Sequence, residues 1–195
     1  MIDKKKGGLL TTLYRQPQSV FTSQELALLW QEDNKDHLKA KISYYVKQSA
    51  LRHLRRGIYA KDEHYNPLEL ATSIYRPSYI SFETVLQAKG LIFQHYDSIF
   101  VAASWPRELV IDKNKFVFRK LKNEVLYNNQ GIVNKNNYNI ATPERAFLDM
   151  IYLFPRYYFD NLRPLDWEKC HQLVNLYSNK QLVKRLDKYQ QNYAQ

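Results

Sequence analysis

The chain has 195 residues and a formal net charge of +10, room for one large or two small domains and a bias toward an anionic partner such as nucleic acid. Hydrophobic residues make up 45% of it and aromatic residues recur throughout, which argues against a disordered chain. The single cysteine, Cys170, excludes an internal disulfide and a multi-cysteine zinc site, and no run approaches the roughly 18 consecutive apolar residues of a membrane span.

Helical spacing begins at Gly8–Arg15, where Leu9, Leu10, Leu13 and Tyr14 are expected to complete a three-helix core. Thr22-Ser23-Gln24-Glu25 is a capping box, in which the Thr22 hydroxyl accepts from the Glu25 amide and the Glu25 carboxylate reaches back. Phe21 and Leu26 are placed for a hydrophobic staple. The helix that follows presents Leu26, Leu29 and Trp30 on one face and fades at Gln31-Glu32-Asp33. Asp33 or Asn34 can cap a second helix running to about Gln48. On it Leu38, Ile42, Tyr45 and Val46 form the core stripe, and Asp36, Ala40, Ser43 and Lys47 lie opposite, flanked by His37, Lys39, Lys41 and Tyr44. Leu51–Ala60 then reads as a basic hairpin turning at Gly57.

From Lys35 to Lys61 there are eight cationic side chains against Asp36 alone. Cations concentrated on one helix and the adjoining hairpin are an electrostatic footprint for phosphate. Two helices joined by a short break and followed by a basic hairpin outline a winged helix-turn-helix, placed at residues 1–64. In this reading Ser43, Tyr44 and Lys47 reach base edges of duplex DNA. Lys39, Arg52, His53, Arg55 and Arg56 lie along the same surface, the arginines and Lys39 on phosphate. A solvated helix face, or a winged helix that docks a protein or RNA, explains the same charges differently.

Residues 65–195 read as a mixed α/β domain of helices and a small sheet, so that the whole is α+β. Asn66-Pro67-Leu68-Glu69 starts a helix that stops before Pro77, and Ser81 is placed to cap a helix over 82–89 ended by Gly90. Ser98–Ala103 and Phe116–Leu121 are strand-like, and the asparagine-rich run Asn128–Asn139 is a loop or hairpin. Thr142-Pro143-Glu144 opens a helix with Ala146, Phe147, Met150, Ile151 and Phe154 on its buried stripe, closed by Pro155. Two more helices carry Trp167, Cys170, Val174 and Tyr177, then Leu182, Val183, Leu186 and Tyr189.

Catalytic constellations are absent from the sequence. The five histidines occur singly, with no helical metal pair, no phosphate-cradling glycine loop and no G-x-S-x-G. Cys170 sits on an apolar stripe, where a buried structural thiol is the expectation, and Asp149 with Glu144 and Arg145 suggests an ion-pair network. No enzyme activity, cofactor or metal is expected. The opening MIDKKKGG lacks the apolar run of a signal peptide, and a reducing cytoplasm is the simplest setting, with no membrane partner.

Four blocks carry a resemblance: Leu54-Arg55-Arg56-Gly57-Ile58-Tyr59-Ala60, Pro67-Leu68-Glu69-Leu70-Ala71, Pro77-Ser78-Tyr79-Ile80-Ser81-Phe82-Glu83-Thr84-Val85-Leu86, and Ala141-Thr142-Pro143-Glu144-Arg145-Ala146-Phe147-Leu148-Asp149. In this order and spacing they resemble the AbiEi (abortive-infection) antitoxins of bacterial type IV toxin–antitoxin systems. The resemblance implies an amino-terminal winged helix that represses its own operon from its promoter. It also implies a carboxy-terminal domain that counters a neighbouring nucleotidyltransferase toxin without a stable complex. It covers roughly Phe21 to Phe154.

Overall fold

The computed structural model describes residues 4–193 and is a mixed α+β protein. The chain divides into two compact units, Met1–Ile74 and Tyr75–Gln195.

The first unit runs α1 (Lys4–Arg15), β1 (Val20–Thr22), α2 (Ser23–Trp30), α3 (Lys35–Lys47), β2 (Arg52–Arg55), β3 (Ile58–Ala60) and α4 (Pro67–Ile74). Its three strands form an antiparallel sheet in the order β1-β3-β2. Leu13, Phe21, Leu26, Trp30, Ile42, Tyr45 and Leu51 make the core, with Leu9, Leu10, Leu38 and Val46 packed around it. The expected stripes of all three helices are therefore the ones that pack on the core, some of their residues only half-buried, except that Tyr14 remains 48% exposed. The sequence pattern puts a domain boundary after residue 64, whereas the unit closes after α4. Glu69 of α4 accepts from the Ser19 and Val20 amides at 2.6 and 3.1 Å and from the Ser19 hydroxyl at 2.8 Å, fastening the helix to the start of β1.

The second unit is built on a six-stranded mixed sheet in the order β6-β7-β5-β4-β9-β8. Its strands are β4 (Ser78–Ile80), β5 (Ser98–Ala103), β6 (Arg107–Ile111), β7 (Asn114–Lys120), β8 (Ile132–Lys135) and β9 (Tyr138–Ala141). Helices α5 (Glu83–Ala88), α6 (Asn123–Leu126), α7 (Pro143–Leu153), α8 (Trp167–Val174) and α9 (Lys180–Tyr193) complete it. The asparagine-rich run resolves as a hairpin, β8 against β9, turned by Asn136 and Asn137 at φ 47° and 69°. Asparagine tolerates that left-handed conformation better than most residues.

Helix α7 starts as expected, with the Thr142 hydroxyl accepting from the Arg145 amide at 3.3 Å and Pro143 in the first turn. Arg145 and Asp149, one turn apart on it, are completely buried and paired at 3.4 Å. The hydroxyls of Tyr79, Ser81 and Tyr177 donate to the Asp149 carboxylate at 2.9, 2.8 and 2.6 Å. Arg145 donates onward to the Val125 and Gln130 carbonyls at 2.7 and 2.8 Å and to the Tyr79 hydroxyl at 3.1 Å. Burial pushes the Asp149 carboxyl above its ordinary value, with Arg145 and the hydroxyl donors opposing. This network revises one expectation: Ser81 does not cap the next helix. Its side chain is committed to Asp149, and the residue before α5 is Phe82, at φ 55° and without a side-chain cap. Phe154 also leaves the expected buried stripe. It ends α7 at 40% exposure, and its ring stacks under the Arg119 guanidinium at 4.7 Å. Cys170 is fully buried, and burial raises its thiol pKa.

Candidate nucleic-acid interface

The expected basic residues belong to α3 and the β2–β3 hairpin, and local sequence explains how each is held. Helix α2 begins with the complete capping box: the Glu25 amide donates to the Thr22 hydroxyl at 3.2 Å, and the Thr22 amide donates to the Glu25 carboxylate at 2.7 Å. It ends at Gln31 in the left-handed region, φ 50°, so that the chain reverses within a few residues. Asn34, rather than Asp33, caps α3 and accepts from the Asp36 and His37 amides at 2.9 and 3.1 Å. In the hairpin, His53 pairs with Tyr59 and Arg55 with Ile58, leaving a bulge between His53 and Arg55. Gly57 takes φ 75° at the turn, and its carbonyl accepts from the Ser23 amide at 2.9 Å. The hairpin tip is thereby tied to the first residue of α2.

Helices α2 and α3 and the hairpin enclose a groove of about 880 Å³. Lys35, Lys39 and Ser43, one helical turn apart on α3, line it together with His53 and Arg56 from the hairpin. Four of the eight expected contact residues, Lys39, Ser43, His53 and Arg56, thus converge on one concavity, and all four are exposed. Tyr44, Lys47, Arg52 and Arg55 are not among its lining residues. Tyr44 is 43% exposed with its ring edge-on to Tyr45 at 5.4 Å, and Arg55 is half-buried. Lys35 is a groove residue absent from the expected contacts, although its place four residues before Lys39 and eight before Ser43 is the signal that could have found it.

The floor and rim of the groove add two features. Ala27, Leu38, Ile42 and Val46 give it apolar walls, so side chains of the core stripe also face the concavity. At the α2–α3 turn Glu32 and Asp33 line one end. Glu32 binds the Lys41 ammonium at 2.5 Å, and this hydrogen bond holds the Glu32 carboxyl below its ordinary value despite some desolvation. Lys41 therefore has an acidic partner within the protein.

Among the described residues no cluster of three His, Cys, Asp or Glu side chains is placed to hold a metal ion, and no helix is long and apolar enough to cross a membrane. Compared with known proteins, the chain matches no family model and no curated protein.

Proposed function

We propose that the first unit is a winged helix-turn-helix that binds duplex DNA, with α3 in the major groove and the β2–β3 hairpin as the wing. The observation that carries this reading is the convergence of Lys35, Lys39, Ser43, His53 and Arg56 on one groove, held by a hairpin anchored to α2. Small and cationic side chains at helical spacing suit close approach to a groove, and the wing arginine suits phosphate or a narrow minor groove. The antitoxin-like sequence blocks extend the proposal: the protein represses its own promoter and counters a nucleotidyltransferase toxin without a lasting complex. Binding, not catalysis, is the activity proposed.

The apolar walls and the acidic end of the groove favour a second reading, in which the unit docks a protein or RNA segment. The double substitution Lys39→Glu/Arg56→Glu separates the two. For a duplex-binding surface, affinity for all DNA sequences falls at least about tenfold, and the slope of log affinity against log salt becomes shallower by about 2. Unchanged affinity and slope would remove DNA from this groove and favour the docking module.

A further inference from the structure

A second concavity, of about 800 Å³, lies wholly within the second unit, beside the β5–β6 turn and helix α6. That volume falls within the roughly 300–1,000 Å³ of small-ligand pockets. Trp105 and Tyr127 both line it and are 67% and 64% exposed, an unusual placement for two large aromatic rings on one cavity. Lys120 and Lys122 line it as well, and the Lys120 ammonium lies 5.4 Å from the centre of the Trp105 ring. Neither lysine has an acidic partner within ion-pair distance among the described residues. Glu124 contributes the carboxylate on this lining, an acceptor suited to the exocyclic amino group of adenine or cytosine.

The wall behind these groups is hydrogen-bonded to the buried ion pair. Tyr177, part of the lining, donates to Asp149 at 2.6 Å, and the carbonyl of Val125, also on the lining, accepts from Arg145 at 2.7 Å.

We propose that this cavity binds a nucleotide, with the base stacked on Trp105 and Tyr127 and the phosphate held by Lys120 and Lys122. Exposed aromatic faces next to ammonium groups are the chemistry by which proteins hold unpaired bases, since any base offers a π-face and its backbone a negative charge. A duplex cannot supply this ligand, because its bases are stacked on one another and show only their edges. The ligand is therefore a free nucleotide or one unit of a single strand. The site uses no residue of the first unit, so it stands apart from the duplex-binding proposal.

The test uses the full chain carrying Lys39→Glu/Arg56→Glu, with a fluorescein-labelled RNA hexamer followed by anisotropy and AMP followed by tryptophan quenching. The hexamer should bind this background. Adding Trp105→Ala should weaken it by about tenfold, Trp105→Phe should restore most of the affinity, and Lys120→Ala/Lys122→Ala should weaken it and flatten its salt dependence. Because the Trp105 side chain is mostly exposed and the lysines are surface groups, the thermal melts of these variants should match their parent. Saturable quenching by AMP, absent from the Trp105→Phe protein, identifies a free nucleotide as sufficient; hexamer binding without it identifies a strand. No binding of either probe, or hexamer binding indifferent to Trp105 and to both lysines, overturns the proposal.

Discussion

At the scale of single residues, the most consequential pair is Arg145 and Asp149. Both are fully buried, and every polar atom of the carboxylate is engaged by Arg145, Tyr79, Ser81 or Tyr177. Removing one partner of such a pair leaves the other charge buried without compensation, which costs about 3–5 kcal/mol. Asp149→Ala should therefore lower unfolding free energy in urea by about that amount, and a loss below about 1 kcal/mol would show that the network contributes little. The i, i+4 spacing of the two charges is legible in the sequence, as is an ion-pair role. Their hydroxyl partners are not, because Tyr79 and Ser81 reach α7 from a strand and loop about seventy positions earlier in the chain. Ser81 reads locally as a helix cap for the same reason: short-range pattern cannot register a competing long-range acceptor.

At the scale of elements, the α2–α3–hairpin assembly is the most readable part of the chain. Its capping box, its apolar stripes and the turn at Gly57 are local signals, and each is where the spacing puts it. The three-residue strands β1 and β4 escape a sequence reading because such short segments carry too little alternation to register, whereas the equally short β3 is marked by the turn at Gly57. Equally hidden is the side of α3 that meets the hairpin. Helical spacing defines faces, but only the packing of β2 and β3 decides that Lys39 and Ser43 line the groove while Tyr44 and Lys47 do not. The α2–α3 turn yields a pH prediction. With Lys41 hydrogen-bonded to it, Glu32 has a lowered folded-state pKa, so the stabilisation is complete above the ordinary glutamate value and lost as pH falls through the lowered one. The native protein should exceed Glu32→Gln in stability at neutral pH, with the difference shrinking in a melt series taken below the ordinary glutamate value. A difference that persists unchanged into acid would mean the ion pair is not its source.

At the scale of the molecule, two units divide the proposed work: a basic first unit for duplex DNA and a second unit with its own sheet, buried ion pair and aromatic cavity. The net charge of +10 predicts attraction to any polyanion, and such attraction alone is sequence-independent and fragile to salt. Operator recognition demands more, because base contacts survive where phosphate contacts are screened. The decisive measurement is affinity of the full chain for the DNA upstream of its own gene against a shuffled fragment, across roughly 50–200 mM salt. An operator-binding winged helix should prefer the native fragment by about a thousandfold or more and keep that preference near physiological salt. Equal affinity for both fragments, collapsing together as salt rises, would leave only non-specific attraction and contradict operator binding.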